Sequence, residues 1–280
     1  MKIVRITDGH LNFVHEEKQA WLLRHIKQED PELIISCGDL SDGKPNEFLS
    51  MLSDQLWQDI YYVNGNHDFY GHSVKEIRDN AIDTEKIRYL TKRESIHLDE
   101  KTTIIGHDGW GDGRNGNVDS AFYPQIIPTA VRLRDFNEIN DLKFVYNMNT
   151  RLLFIDKLKE LGDEAAAHIK TNLQNTNEHV IVVTHVPPFN EACFYRRQDD
   201  GPVLPQDENW SPFFSCKATG DVLKEFAEQN PNKKILVLAG HTHEHADVKI
   251  KDNLRIIVGR GHYKVPKWDV IDTEEIFAAL

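Results

Sequence analysis

The run LIISCGD, residues 33–39, joins a largely apolar stretch to a glycine and an aspartate. A short continuous apolar run of this kind is typical of a buried strand, as found in parallel sheets that carry helices on both faces. A polar residue directly after such a strand lies at the carboxyl end of the sheet, where α/β proteins bind their ligands. Asp39 is therefore a candidate functional residue at a predicted strand end.

Four further strand-like runs end in polar residues in the same way. They are KIVRIT before DGH, IYYV before NGNHD, HVIVVT before His185, and KILVLA before GHTH. Within DGH and GHTH the polar residues Asp8 and His10, and His241 and His243, are two apart, so in extended backbone each pair points to one side. Aspartate, asparagine and histidine ligate divalent metals of intermediate hardness. Five separated motifs are thus predicted to converge on one metal site.

Helical patterns alternate with these strands, which indicates βαβ units, a largely parallel or mixed sheet and an α/β (α+β) fold class. The spacing of apolar residues predicts helices over 16–29, 45–57, 72–82, 151–175 and 219–229. Further strands are predicted near 95–98, 102–106, 246–251, 254–258 and 268–272, the last three as antiparallel strands.

Two long stretches, residues 107–128 and 186–217, do not fit this alternation. Long connections in compact domains are often functional, although they can also be plain irregular surface. We therefore expect a single domain over residues 1–280 with two loops that shape the substrate site.

Composition narrows the class of protein. The formal net charge of −12 argues against a broad basic face for nucleic acid, while a local metal cluster could still make one pocket positive. The acidic surface could also serve solubility alone. No apolar run is long enough to cross a bilayer, and the three cysteines form no CxxC pair, so we expect a reduced, cytoplasmic protein with no membrane partner.

The ordered set DGH, GD, GNHD, TH and GHTH resembles the calcineurin-like metallophosphoesterase superfamily, and it extends from residue 8 to residue 243. The resemblance implies a four-layer αββα sandwich with two central mixed β-sheets. It also implies two divalent ions bridged by one carboxylate. By motif, Asp8, His10 and His243 resemble the ligands of the first metal. Asn66, His185 and His241 resemble the ligands of the second metal. Asp39 resembles the bridging carboxylate.

Other site residues carry over in the same way. His67 resembles the non-ligand histidine that acts on the leaving group, and Asp42 is similar to the aspartate that orients this histidine in related protein phosphatases. A helix cap or turn is the alternative for Asp42. Those phosphatases hold phosphate with an arginine where this chain has Gly43. Phosphate must then rely on the metals, Asn66, His67 or an arginine from elsewhere; Arg260 and His107 are further candidates.

The reaction that the resemblance implies is hydrolysis of a phosphate mono- or diester of a small or medium substrate. A hydroxide held by the two ions attacks phosphorus, and His67 gives a proton to the leaving group. Mixed nitrogen and oxygen ligands suit Mn, Fe, Zn or Co. The alternatives are a metal-dependent nuclease and a non-catalytic scaffold of the same fold.

Overall fold

Two central β-sheets pack face to face in the computed structural model of the protein, which describes residues 1–118, 133–147, 151–196 and 201–280. In the first sheet, a run of parallel strands is flanked by one antiparallel strand at its edge. Its strands, in order across the sheet, are β13 (Trp268–Asp272), β1 (Lys2–Ile6), β2 (Leu33–Ser36), β3 (Asp59–Tyr62) and β4 (Ile87–Tyr89).

The second sheet has four parallel strands between two antiparallel edge strands. Its order is β11 (Ala246–Lys251), β12 (Leu254–Val258), β10 (Lys234–Ala239), β7 (His179–Thr184), β6 (Thr102–His107) and β5 (Ile96–His97). A separate two-stranded ribbon consists of β8 (Phe194–Arg196) and β9 (Val203–Pro205).

Helices cover the outer faces of both sheets. Helices α1 (Glu16–Glu29) and α2 (Pro45–Gln55) pack on the first sheet, and α6 (Arg151–Leu173) and α8 (Lys217–Gln229) pack on the second. Alternate strand residues face the helices and the opposite sheet, which confirms the four-layer αββα arrangement. The remaining helices are α3 (Val74–Asn80), α4 (Asp135–Glu138), α5 (Asn140–Asn147), α7 (Ser211–Phe214) and α9 (Thr273–Ala279).

An additional cluster of buried apolar side chains lies beside the carboxyl ends of the strands. Phe69 from the turn after β3 packs with Phe136 from α4, Phe154 from α6 and Phe213 from α7. Burial of such large side chains contributes about 1.5–3 kcal/mol each. This cluster therefore holds α4, α6 and α7, which carry none of the five motifs, against the loop after β3, which carries one. No helix in the described ranges is long and apolar enough to span a membrane.

The predicted strands and long helices are confirmed with small changes in their bounds, and two features differ. Residues 254–258 were expected to be antiparallel, but β12 pairs in parallel with β10 and is antiparallel only to β11. The strand at 268–272 leaves that sheet altogether and pairs with β1. The sequence gives no sign of β4, the β8–β9 ribbon, α4, α5, α7 or α9, which are mostly too short to show a clear period.

Candidate metal centre

The five strand-end motifs come together at the carboxyl edge of the two sheets, in strained backbone. Positive φ angles occur at Asp8 (48°), His10 (40°), Asp39 (55°), His241 (71°) and His243 (60°). Residues other than glycine rarely adopt this region, and such strain concentrates at functional sites. The left-handed turns aim these side chains inward from the strand ends.

Two glycines let the loops approach one another closely. A side chain on Gly65 would collide with Asp39 and His185, and one on Gly261 would collide with Asp8 and His243. Only a residue without a Cβ fits where backbone lies against a ligand side chain in this way.

Outer hydrogen-bond partners fix the tautomer of two imidazoles and the orientation of one amide. His185 Nδ1 lies 2.7 Å from the Cys37 carbonyl oxygen, and His241 Nε2 lies 3.1 Å from that of Phe213. Because a carbonyl only accepts, each of these nitrogens carries the ring proton, and the opposite nitrogen of the neutral ring is bare. The Asn66 side-chain amide donates to Asp135 Oδ1 at 2.8 Å, which turns Asn66 Oδ1 the other way.

The three bare acceptor atoms converge on one point. Asn66 Oδ1 lies 2.9 Å from His185 Nε2 and 2.9 Å from His241 Nδ1, and the two nitrogens are 3.2 Å apart. Ligand atoms bound at right angles, each about 2.1 Å from one ion, are themselves about 3 Å apart. Burial lowers the pKa of both rings, that of His241 to about 3, so the rings stay neutral. The three atoms face one another with no N–H or O–H between them, and their arrangement fits a divalent cation.

A second set lies beside the first. Asp8, His10, Asp39 and His243 each offer a ligand atom within 4.8 Å of the others. His243 Nε2 is 3.4 Å from Asp8 Oδ1 and 3.2 Å from His10 Nε2. Asp39 Oδ2 is 3.9 Å from His10 Nε2 and 3.5 Å from His185 Nε2 of the first set. One oxygen of Asp39 thus lies between the two sets.

The electrostatics of this centre also favour a cation. Asp39 is 1% exposed, and burial followed by the charges of Asp8 and Asp68 raises its pKa well above the usual range. Burial, with the charges of His67 and His243, lowers the pKa of His10 to about 2. Among the described residues, no lysine or arginine forms an ion pair with Asp8 or Asp39.

His67 and Asp42 form a pair at the edge of the centre. His67 Nδ1 lies 2.8 Å from Asp42 Oδ1, and the His67 backbone N–H donates to Asp39 Oδ1 at 2.8 Å. Burial opposes ionisation of Asp42, but the hydrogen bond and charge of His67 and the charge of Arg134 outweigh it and lower the Asp42 pKa. The residue that caps α2 is Lys44, so Asp42 does not cap that helix.

A cavity of about 1350 Å³ opens onto these groups. Asn66, His67 and Arg260 line it, but His107 is not among its lining residues. His107 is buried, where its Nδ1 accepts from the Gly109 N–H at 3.1 Å. The 186–217 stretch contributes to the wall through residues that include Trp210; residues 107–118 do not, and 119–128 lie outside the described ranges.

Asp68 and Tyr263 lie near the centre, although the sequence alone assigns them no role. Asp68, in the GNHD motif, accepts the backbone N–H groups of Asp39, Ser41 and Gly65 at 2.8–3.0 Å and so joins two motif loops. The only sequence signal for Asp68 is its place in GNHD. Tyr263 stacks on His10 with ring centres 4.2 Å apart. Nothing in its surrounding sequence marks it.

Asp108 anchors a neighbouring part of the same edge. Its carboxylate accepts from the Asn64 N–H at 2.8 Å, Arg78 Nε at 2.9 Å, the Tyr89 hydroxyl at 2.6 Å and the Thr91 hydroxyl at 2.9 Å. Burial opposes its ionisation, but the charge of Arg78 and these hydrogen bonds outweigh it and lower the Asp108 pKa.

The fold and the centre together define an αββα sandwich with candidate metal ligands grouped at its strand ends. The family model described as calcineurin-like phosphoesterase matches residues 1–245, and the chain belongs to this family. Membership supports a metal-dependent hydrolase that acts on phosphate esters, which confirms the resemblance drawn from the motifs.

Two similar proteins illustrate this membership. The uncharacterized metallophosphoesterase Cj0846 of Campylobacter jejuni is 32% identical over 84 residues, which are 28% of this chain and 22% of that protein. The crystal structure of phosphopantetheinyl hydrolase (PptH) from Mycobacterium tuberculosis superposes with a TM-score of 0.61 at 14% identity, covering 94% of this chain and 90% of that one. At this identity the likeness concerns the fold alone.

Proposed function

We propose that the protein is a dinuclear metal-dependent phosphoesterase that hydrolyses a phosphate mono- or diester of a small or medium substrate. The observation that carries the proposal is the convergence of bare acceptor atoms from Asn66, His185 and His241 beside an aspartate shared with a second set. Asp39 is the proposed bridge, and the second set is Asp8, His10 and His243.

Divalent ions bound there, of which Mn, Fe, Zn and Co suit these ligands, supply an activated water nucleophile and neutralise charge on the phosphoryl oxygens. The chain's own contribution starts with the outer partners of Asn66, His185 and His241, which orient the ligands before any ion arrives.

His67 supplies the proton in this proposal. Its Nδ1 is held by Asp42, so Nε2 is the nitrogen left to donate to the departing alkoxide at the cavity. The retained His67–Asp42 pair and the complete ligand set count against a non-catalytic scaffold. The net charge of −12 counts against the nuclease alternative.

The test is His67→Ala, with the exposed His97→Ala as a control that should match the wild type. Metal content by plasma mass spectrometry should stay unchanged, because His67 is not a proposed ligand. Turnover of an alkyl phosphate such as glycerol phosphate with added Mn²⁺ should fall by about 10²–10⁴, because its alkoxide leaving group needs the proton. Turnover of p-nitrophenyl phosphate should fall less, because p-nitrophenolate leaves without one. Loss of metal from His67→Ala, or retention of full turnover, would contradict the assigned role.

A further inference from the structure

Arg134 reaches the cavity from a segment that carries none of the five motifs. Its guanidinium lies 3.2 Å from Asp42 Oδ2 and 4.8 Å above the ring of Tyr70. Its side chain is 52% exposed and lines the cavity together with His67. The guanidinium of Arg134 is therefore held by Asp42 and Tyr70 on one side and is open to the cavity on the other.

The segment that carries Arg134 is held by several hydrogen bonds. The Gly71 N–H donates to the Glu138 carbonyl at 2.8 Å, and the Asn140 N–H donates to that of His72 at 2.9 Å. The next residue, Asp135, accepts from Asn66 at 2.8 Å and from the Tyr70 hydroxyl at 2.6 Å. Arg134 is thus held against the turn that bears Asn66 and His67.

One carboxylate contacts both His67 and Arg134. Asp42 contacts His67 through Oδ1 and Arg134 through Oδ2, so the imidazole and the guanidinium are fixed side by side. A guanidinium has five N–H donors in a planar fork, and the contact with Asp42 leaves others free for a second acceptor. Glu138, at 3.9 Å, is too distant to hydrogen-bond.

We propose that Arg134 binds a terminal oxygen of the substrate phosphoryl group and makes the site selective for phosphate monoesters over diesters. This inference rests on the proposed function, since it assumes that the phosphoryl group lies at the metal centre. Gly43, beside Asp42, has no side chain that could take this part. The cation comes instead from residue 134, far along the chain.

The selectivity follows from charge and valence. A monoester dianion presents three terminal oxygens that share two charges, whereas a diester presents two that share one. A guanidinium forms its strongest hydrogen bonds with such doubly charged, multiply accepting groups. In a diester, the second substituent replaces the terminal oxygen that would otherwise accept from Arg134.

The experiment compares Arg134→Gln and Arg134→Lys with the wild type on two chromogenic esters. For Arg134→Gln, kcat/KM on p-nitrophenyl phosphate should fall by about 10²–10³, which is the usual effect of removing one hydrogen-bond donor to the charge that develops in a transition state. On bis-p-nitrophenyl phosphate it should fall by less than about tenfold. Arg134→Lys should retain part of the monoester activity, since it keeps the charge but loses the fork. Arg255→Gln is the control, because Arg255 pairs with Asp247 outside the cavity lining.

Inorganic phosphate provides a readout without turnover. Its dissociation constant, from calorimetric titration of the metal-loaded protein, should rise about tenfold in Arg134→Gln, the effect of one charge-assisted hydrogen bond. Equal losses on both esters would show that Arg134 only positions Asp42 and His67, and would overturn the proposal. So would unchanged phosphate binding. If the wild type cleaves neither ester, the proposed function fails, and phosphate binding still decides whether Arg134 holds a phosphoryl oxygen.

Discussion

Asp39 and Asp108 are buried aspartates that follow strands of the two central sheets, and they differ in what surrounds them. Asp108 contacts the guanidinium of Arg78 and three further donors, and its pKa is lowered. Asp39 contacts neutral imidazoles and lies near Asp8 and Asp68, and burial with these charges raises its pKa well above the usual range.

The difference separates a carboxylate that is paired with an arginine from one that, among the described residues, has no lysine or arginine partner. A buried charge is costly unless it is paired, and the chain itself supplies the pair for Asp108. For Asp39 we propose that the compensation comes from a cation bound between Asp39 and the surrounding imidazoles. Two equally buried aspartates can therefore be assigned different roles from their partners, although burial alone does not distinguish them.

Asp39→Asn should produce the largest effect on function. The proposed bridge is lost, so metal stoichiometry should fall, and activity on either ester should drop by more than about 10³, as expected when several kcal/mol of metal stabilisation disappears. Stability of the metal-free protein should be unchanged or higher, because an uncompensated buried charge has been removed. Plasma mass spectrometry and urea unfolding in chelator measure the two effects.

Wild-type protein supplies the reference for this variant. Each ion at about 1,000 times its dissociation constant should stabilise it by about 4.1 kcal/mol over the chelated form, and Asp39→Asn should lose most of this increment. Full metal content in Asp39→Asn would remove the bridging assignment. A large loss of stability in its metal-free form would mean that Asp39, like Asp108, is compensated within the chain.

Asp108→Asn should have the opposite profile. Removing one partner of a buried ion pair costs about 3–5 kcal/mol, and the lower end is expected here because Arg78 also pairs with Glu164 at 2.6 Å. Urea unfolding in chelator measures this loss. The increment on adding metal should remain close to that of the wild type, since Asp108 is no proposed ligand. A lost metal increment with normal stability would reverse the assignments of the two aspartates.

The same comparison shows how far the sequence could predict the site. All seven proposed ligands lie within four residues after the end of a strand, so the rule that strand ends share one edge brings them together without any knowledge of loops. The Asp42 partner of His67 was also expected, from the resemblance. Arg134 and Asp135 could not be found in this way, because their segment belongs to no strand. It is placed beside the centre by the packing of Phe136 with Phe69 and Phe154 and by the hydrogen bonds of Asp135, which no local pattern in the sequence predicts.

The fold follows a similar division. The strands β7 and β10 and the helix α1 were predicted to the residue. Burial on both faces gives a strand a continuous apolar run, and burial on one face gives a helix a clear apolar period. Pairing was harder to predict. β13 is antiparallel to β1 across more than 260 positions of chain, and no local pattern distinguishes that partner from its sequence neighbour β12.

The smallest predicted effect concerns the pH dependence of stability, and it tests whether Asp108 is ionised in the fold. Its pKa is lowered in the folded state, so an unfolded chain, with an aspartate pKa near ~3.9, takes up the proton first as pH falls. The stability that this carboxylate contributes is therefore fully present above about pH 4 and is lost as pH falls through the lower folded value. The difference in unfolding free energy between wild type and Asp108→Asn, measured with urea in chelator, should be constant from pH 5 to 7 by this reasoning, and should shrink below pH ~4. A difference that grew on acidification would mean that Asp108 is protonated in the fold, and the contrast with Asp39 would no longer hold.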